Sequence, residues 1–61
     1  MAAKFEIYKD KSGEFRWKLV HTNGQVIANS GEGYKVKANA MGGINSVKEN
    51  AHSATVEDKT A

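Results

Sequence analysis

Two segments near the start of the chain alternate apolar and polar residues, and no other feature constrains the fold as strongly. In the first segment, apolar Phe5 and Ile7 are separated by polar neighbours, and residues 15–21 alternate in the same way. Successive side chains of a β-strand point to opposite faces of the sheet. Both segments are therefore predicted to be strands with one buried face.

The turn Asp10-Lys11-Ser12-Gly13 lies between these segments and sets their register. Aspartate favours the start of a type I turn, and Gly13 can take the left-handed conformation that closes a three-residue loop with a bulge. That loop places Ile7 opposite Trp17, so the apolar faces of the two strands coincide. A two-residue loop would place Ile7 opposite Arg16 and mix the faces, because a slip of one residue inverts every side chain.

The pair Asn23-Gly24 predicts a second hairpin. Both central positions of a type I′ turn need a positive φ, which Asn and Gly tolerate. The resulting two-residue loop pairs His21 with Val26 and Val20 with Ile27. The inner face of the three-stranded meander then consists of Phe5, Ile7, Phe15, Trp17, Leu19, Val26 and Ala28.

From about Lys37 to Asn50 the apolar residues follow helical spacing, which predicts one amphipathic helix over the sheet. Its apolar stripe is Ala40, Met41, Ile44, Val47 and Ala51. Val36 occupies the place of a capping residue, so the helix begins there without a side-chain cap or begins later with Asn39 as its cap. On a helical wheel Gly42 points away from the stripe.

Residues 54–58 are predicted to form a last short strand around Val56. The predicted fold class is α+β: a three-stranded antiparallel meander, one covering helix and a short C-terminal strand. Residues 1–61 form a single domain, with a core from about residue 4 to residue 58.

The outer face of the meander is the candidate binding face, and its candidate residues are Tyr8, Arg16, Lys18, Val20 and Ile27. This face is too polar for a second core and more apolar than a fully solvated surface. Two interpretations remain open. The face binds a partner, or its residues pack across strands, with Val20 against Ile27 and Tyr8 against the stem of Arg16.

The charged residues are mixed along the chain. Nine Lys and Arg residues and seven Asp and Glu residues give a net charge of +2. Such mixing is typical of a solubilising surface rather than of a phosphate-binding patch. The chain has no cysteine, so His21 and His52 are its only soft ligands and a structural zinc site is not expected. The spacing of the histidines, serines and aspartates does not bring the three parts of a catalytic triad together. No enzyme activity, metal or cofactor is therefore predicted.

The first residues, Met1-Ala2-Ala3-Lys4, reach a charged residue without an apolar run long enough for a signal peptide or a membrane span. A cytoplasmic protein is expected, and the absence of cysteine agrees with a reducing compartment.

A chain of 61 residues has a thin core. Domains of this size bury only about 60% of the surface that the unfolded chain exposes. Since a disulfide and a structural zinc are excluded, oligomerisation is the expected source of further stability.

Several short blocks spread along the chain form a recognisable pattern. They are Phe5-Glu6-Ile7-Tyr8-Lys9-Asp10, Gly13-Glu14-Phe15-Arg16-Trp17, Asn23-Gly24-Gln25-Val26-Ile27-Ala28, Gly33-Tyr34 and Gly43-Ile44-Asn45-Ser46-Val47-Lys48. Together they resemble the YegP-like family of uncharacterised bacterial domains, over about residues 4 to 58. The resemblance implies a unit of three strands, a helix and a strand. It also implies that two such units share one sheet and exchange their last strands. A single-unit chain would then be a homodimer.

Two places depart from the family pattern: Val36, and the polar ending Thr55-Val56-Glu57-Asp58. They leave open where the helix starts and whether the last strand crosses to a partner or stays on its own sheet. The resemblance implies no catalytic or ligand-binding residue.

The expected function is that of a non-enzymatic structural or protein-interaction module that acts as a homodimer, with a further protein partner unidentified. The alternative is weak, sequence-indifferent binding of nucleic acid by Tyr8, Arg16 and Lys18, because aromatic and cationic side chains on a sheet can stack bases and hold phosphates.

Overall fold

The computed structural model describes residues 3–60 and has the α+β architecture expected from the sequence. Three antiparallel strands, β1 (Ala3–Lys9), β2 (Phe15–His21) and β3 (Val26–Asn29), form a sheet in the order β1-β2-β3. One helix, α1 (Lys37–Asn50), covers one face of the sheet. The parts of the predicted domain at residues 1, 2 and 61 lie outside the described residues.

The first hairpin has the predicted register, with Ile7 opposite Trp17 and Phe5 opposite Leu19. Its loop holds three residues, because the Asp10 amide donates to the Glu14 carbonyl at 2.9 Å and the Gly13 amide donates to the Asp10 carbonyl at 3.0 Å. Gly13 closes the loop at a φ of 84°. A side chain at that φ would be strained, so the glycine fixes the loop length.

The second hairpin differs from the predicted type I′ turn. The His21 amide donates to the Gln25 carbonyl at 2.8 Å and the Gly24 amide donates to the His21 carbonyl at 2.8 Å, so this loop also holds three residues. Gly24 has a φ of 88°, but Asn23 does not take a positive φ. Instead, the Asn23 side chain accepts the Gln25 amide at 2.9 Å, a local bond that Asn forms readily in turns.

A register shift in β3 follows from this longer loop. Leu19 pairs with Ala28 as predicted, but Val20 pairs with Val26, and Ile27 is the extra residue of a bulge. The predicted pairs of His21 with Val26 and of Val20 with Ile27 are therefore wrong. Directly paired residues share a face of the sheet, so Val26 lies on the outer face with Val20 rather than on the inner face.

The connection from β3 to α1 is anchored to β2 at both ends. The Ser30 amide donates to the Trp17 carbonyl at 2.9 Å, and Tyr34 forms an isolated bridge with Phe15 through bonds of 2.7 and 2.8 Å. The Ser30 hydroxyl also donates to the Glu32 carbonyl at 2.9 Å. These bonds bring the chain back over the inner face, where α1 begins.

The helix begins directly after Val36, and no described side chain caps it. The Val36 carbonyl accepts the Asn39 amide at 3.0 Å, so Asn39 already belongs to the first turn of the helix. The alternative, a later start with Asn39 as the cap, is therefore wrong.

The core lies between α1 and β2. Trp17, Ala40 and Ile44 form its buried centre, and the half-buried side chains around them are Phe5, Ile7, Phe15, Tyr34 and Val47. Trp17 therefore lies on the inner face, as predicted, and the helix covers it. The predicted apolar stripe is only partly used, because Met41 is 43% exposed and Ala51 is exposed.

The predicted last strand is wrong as an element of the single chain. Within residues 3–60 no strand follows α1: the helix passes into a turn at residues 51–53, and residues 54–60 have no regular secondary structure. Val56 is 95% exposed. One valine among polar neighbours offers too little apolar surface to hold this segment on its own domain.

Candidate functional site

The outer face of the sheet brings Tyr8, Arg16 and Lys18 together through the register of the first hairpin. Tyr8 lies opposite Arg16, and Glu6 lies opposite Lys18. Because directly opposed side chains on one face are near neighbours, these four residues form one continuous polar surface. The sequence predicted three of them as candidates and correctly placed them on one face.

Arg16 is occupied by an ion pair within the first hairpin. Its Nε donates to Asp10 Oδ2 at 2.6 Å, and both side chains are largely shielded from solvent. The other carboxylate oxygen, Oδ1, accepts the Ser12 amide at 2.9 Å, the Ser12 hydroxyl at 2.9 Å and the Glu14 amide at 3.0 Å. Asp10 therefore organises the loop and holds the guanidinium at the same time.

These bonds stabilise the charged forms of both partners. The hydrogen bond from Arg16 is the largest cause that holds the pKa of Asp10 well below its ordinary value, followed by the bond from the Glu14 amide. The bond to Asp10 raises the pKa of Arg16 in turn. At neutral pH the pair is fully ionised and its charges cancel, so Arg16 offers little free charge to a ligand.

Lys18 is also engaged on the outer face. Its Nζ lies 3.9 Å from Glu6 Oε1 and 5.5 Å from the centre of the Tyr8 ring. The first contact is an ion pair and the second a cation–π contact, each of modest strength at a half-exposed site. The basic groups of the outer face are thus balanced by acidic neighbours.

The two aliphatic candidates differ from each other. Val20 is only 8% exposed, whereas Ile27 is 55% exposed. The prediction that Val20 is available on a binding face is corrected by its burial, which its pairing with Val26 helps to explain. Ile27 remains accessible because the bulge removes its cross-strand partner.

His21 contacts the backbone and a side chain of the second turn. Its Nδ1 lies 3.3 Å from the Asn23 amide, which donates to it, and 3.3 Å from the Thr22 hydroxyl.

Among residues 3–60, no three His, Cys, Asp or Glu side chains are grouped so that they could hold a metal ion. The same residues contain no helix with the length and apolar character needed to cross a bilayer.

A second surface, which sequence reasoning missed, lies on the inner side between β1 and the helix. It is an open groove with a volume of about 590 Å³, here called the β1–α1 groove. Its lining residues are apolar Ala3, Phe5, Ile7, Leu19, Met41 and Ile44, together with Lys4 and Lys48, which are both exposed.

The groove exists because α1 packs over β2 and leaves part of β1 uncovered. Phe5 and Leu19 are only half-buried, and Met41 is exposed although it belongs to the apolar stripe. The helical spacing of Met41, Ile44 and Lys48 could have indicated a groove edge, since residues three and four apart share one side of a helix. Which strand they face is a tertiary feature that the spacing does not give.

Comparison with known proteins shows the same fold and no assigned activity. Residues 10–58 match the family described as "Domain of unknown function (DUF1508)". A "UPF0339 protein" of Treponema denticola is 57% identical over 56 residues, which are 92% of this chain and 95% of that protein.

Two solved structures are close to this one. The solution structure of a protein from Haloferax volcanii has a TM-score of 0.89 and 49% identity, and the match covers 93% of this chain and 95% of that chain. The solution structure of protein ATU0232 from Agrobacterium tumefaciens has a TM-score of 0.76 and 46% identity, with 95% and 92% covered. The relatives include archaeal as well as bacterial proteins, so the expectation of a purely bacterial family is too narrow. From the family match and these relatives, the chain belongs to the DUF1508 (UPF0339, YegP-like) family of domains of unknown function.

Proposed function

We propose that this protein is a non-enzymatic interaction module that acts as a homodimer, in which the two copies exchange their C-terminal segments. The segment meant is residues 54–60, and the observation that carries the proposal is its detachment from its own domain, with Val56 95% exposed. We further propose that the dimer works in the cytoplasm. The chain has no cysteine, so it forms no disulfide and needs no oxidising environment to fold.

The accessible surface of the chain supports association. It measures 4980 Å², whereas a compact monomer of 6.6 kDa is expected to expose about 3,900 Å². The excess of about 1,100 Å² is comparable to the roughly 800 Å² that each partner buries in a standard protein interface. A second copy could therefore cover the surplus surface.

The dimensions of the chain support the same proposal. Its radius of gyration is 13.0 Å, against about 10.5 Å for a compact domain of 61 residues. Its longest extent is 37 Å, although its longest regular elements, seven-residue strands and a 14-residue helix, span only about 20 to 25 Å. Among the described residues, the longest stretch outside the regular elements is residues 51–60, which follow α1.

The sheet also has edges that can accept another strand. In the order β1-β2-β3, both β1 and β3 pair on one side only within the described chain. An unpaired edge presents backbone donors and acceptors that readily bind a further strand. A C-terminal segment from a second copy can supply that strand at β1, beside the β1–α1 groove.

The non-enzymatic part of the proposal is supported by the use of the polar side chains. Asp10 and Arg16 hold the first loop, Glu6 and Lys18 pair across strands, and His21 supports the second turn. Each of these groups already has a structural partner, so none stands ready as a nucleophile or a general base.

A substitution at Val56 tests the homodimer, because a residue this exposed should tolerate a charge in a monomer. We expect Val56→Asp to weaken the dimer and to lower its melting temperature, and the melting temperature of the unmodified chain to rise with concentration. Ile27→Asp is the matched control, since Ile27 is an exposed aliphatic residue outside the C-terminal segment.

A chain that ends at Asn50 provides the second arm of the test. It should be monomeric and should melt at a temperature that does not depend on concentration. If Val56→Asp and Ile27→Asp leave the melting behaviour equally unchanged, and the shortened chain associates as the full chain does, the exchange of C-terminal segments is contradicted.

A further inference from the structure

The second turn contains a pair of residues, Asn23-Gly24, whose chemistry the proposed function does not use. We propose that Asn23 is a site of spontaneous modification, at which the Gly24 nitrogen attacks the Asn23 side chain and converts it to aspartate or isoaspartate. The turn controls the reaction, because the Gly24 amide reacts only when its hydrogen bond to the His21 carbonyl opens.

The reaction consumes only water and releases ammonia. The Gly24 nitrogen gives up its proton and forms a bond to Asn23 Cγ. The bond from Cγ to Nδ2 breaks, and ammonia leaves with that proton, so a cyclic imide remains. Water then opens the imide at one of its two carbonyls, which gives aspartate at Cγ or isoaspartate at the main-chain carbonyl. The attacking atom and the attacked atom belong to adjacent residues, so their effective concentration is high.

The neighbouring residue distinguishes Asn23 from the other asparagines of the chain. Gly24 has no side chain, so no Cβ atom obstructs the approach of its nitrogen, and its main chain adopts conformations closed to other residues. The remaining asparagines precede serine or alanine: Asn29, Asn39, Asn45 and Asn50. The last three also lie in α1, where hydrogen bonds hold the main chain in a regular conformation.

The hydrogen bonds of the turn act on both reacting groups. The Gly24 amide donates to the His21 carbonyl at 2.8 Å, and this bond holds the proton that must leave. Asn23 Oδ1 accepts the Gln25 amide at 2.9 Å. Attack on Cγ places negative charge on Oδ1, where this donor already points and stabilises the charge. The bond between Gly24 and His21 therefore decides when Asn23 reacts.

This controlling bond is easily broken, because residues 22–25 are all exposed. A single exposed hydrogen bond contributes little net free energy, and exposed turns open more readily than the core. Asn23 should therefore react in the folded protein only about twofold to tenfold more slowly than in the unfolded chain.

Asn29 provides a comparison within the same structure. Its Oδ1 accepts the Gly31 amide at 3.0 Å, just as Asn23 accepts the Gln25 amide. The next amide, that of Ser30, donates to the carbonyl of buried Trp17 at 2.9 Å. Opening this bond disturbs the core, whereas opening the bond of Gly24 disturbs only the turn. Asn29 should therefore be protected where Asn23 is not.

The two products should affect the turn differently. Aspartate at position 23 retains an oxygen that can accept the Gln25 amide, so the turn is preserved. Isoaspartate adds a carbon to the main chain between residues 23 and 24, so the Gly24 amide no longer fits its bond to the His21 carbonyl. We expect the isoaspartate form to melt at a lower temperature than the unmodified chain, and Asn23→Asp to melt close to it.

Peptide mapping by mass spectrometry tests the site in the full chain, kept in mildly alkaline buffer either folded or in urea. In the folded chain Asn23 should convert first, and each conversion lowers the net charge of +2 by one because a carboxylate replaces the amide. Asn23→Ser is the matched control, since it lacks the side-chain amide and should not form this acidic product. An Asn23 that stays unmodified in the folded chain, or that converts equally fast with and without urea, would overturn the proposal.

Ser30→Gly separates the effect of glycine from that of the turn. It gives Asn29 the same neighbour as Asn23, while the main-chain bond to Trp17 can still form. In urea the two asparagines of this variant should convert at similar rates. In the folded variant, as checked by circular dichroism, Asn29 should convert at least about tenfold more slowly than Asn23. Equal rates in the folded variant would contradict control by the turn.

Hydrogen exchange of the unmodified chain compares the two bonds without any substitution. After correction for intrinsic rates, the Gly24 amide should exchange at least about tenfold faster than the Ser30 amide, because only the latter is anchored to the core. A Gly24 amide as well protected as that of Ser30 would overturn the proposed control of the reaction.

Discussion

At the centre of the domain, the indole of Trp17 packs edge-on against Phe5, with ring centres 5.6 Å apart, and lies next to Gly43 of the helix. A Cβ atom at Gly43 would lie 2.8 Å from Tyr34 Oη and 3.1 Å from Trp17 Nε1. The glycine therefore lets two aromatic side chains approach the helix closely. By contrast, a Cβ atom added at the adjacent Gly42 would point into open space, with no contact within 4 Å.

This contrast predicts opposite effects of the same substitution at adjacent positions. Gly42→Ala should stabilise the protein by about 1 kcal/mol, because alanine favours a helix more than glycine does. Gly43→Ala gains the same preference but crowds Tyr34 and Trp17, so it should be less stable than Gly42→Ala by about 1 to 3 kcal/mol. Urea unfolding measures both, and equal stabilities would show that the contact at Gly43 is not close.

The ion pair between Asp10 and Arg16 predicts a pH dependence in acid. The folded-state pKa of Asp10 is lowered, chiefly by Arg16, so the stabilisation is present above the unfolded pKa of about 4 and is lost as the pH falls below it. The melting temperature of the unmodified protein should exceed that of Asp10→Asn most clearly near pH 6, and the gap should narrow from pH 4 to pH 2. A gap that stays constant over this range would contradict the role of the carboxylate.

Among the elements, the two hairpins illustrate what local sequence determines. In the first, the match of apolar faces and the turn residues favour one loop length, and that register is confirmed. In the second, Asn23-Gly24 suits two turn types, and the hydrogen bond from the Gln25 amide to Asn23 favours the longer loop. The short strand β3 is exposed throughout, so its apolar pattern specifies the register only weakly.

Because of the bulge in β3, Val20 and Ile27, which the sequence predicted to pair, should contribute unequally to stability. Val20 is buried and Ile27 is exposed. Val20→Ala should cost about 1.5 kcal/mol, the value of two buried methyl groups, whereas Ile27→Ala should change the stability by less than about 0.5 kcal/mol. Chemical unfolding of the two variants provides the comparison, and a larger loss for Ile27→Ala would favour the regular pairing over the bulge.

The helix was predictable and the segment after it was not. Helical spacing of apolar residues from Lys37 to Asn50 is a strong local pattern, and α1 has these bounds. Residues 54–58 contain one large apolar side chain, so nothing local determines where they pair.

The candidate site was predictable only in part. The sequence indicated that Tyr8, Arg16 and Lys18 share a face. The neutralisation of Arg16 by Asp10 depends on the loop geometry, and the groove depends on how α1 lies across the sheet.

For the whole molecule, the balance of charges predicts weak nucleic-acid binding. The net charge is only +2, and both Arg16 and Lys18 have acidic partners. Single-stranded oligonucleotides should bind with micromolar or weaker affinity and lose that affinity as salt increases, without preference for sequence. Fluorescence anisotropy at two salt concentrations measures this. Submicromolar binding near physiological salt that disappears with Arg16→Ala and Lys18→Ala would instead favour a nucleic-acid function.

The homodimer is the central claim about the whole molecule, and its solution mass tests it most directly. Sedimentation equilibrium over a wide concentration range should give a mass that approaches twice the chain mass of 6.6 kDa as the concentration rises. The full chain should show this mass, and the chain ending at Asn50 should not. A mass of 6.6 kDa for the full chain at every concentration would contradict the homodimer.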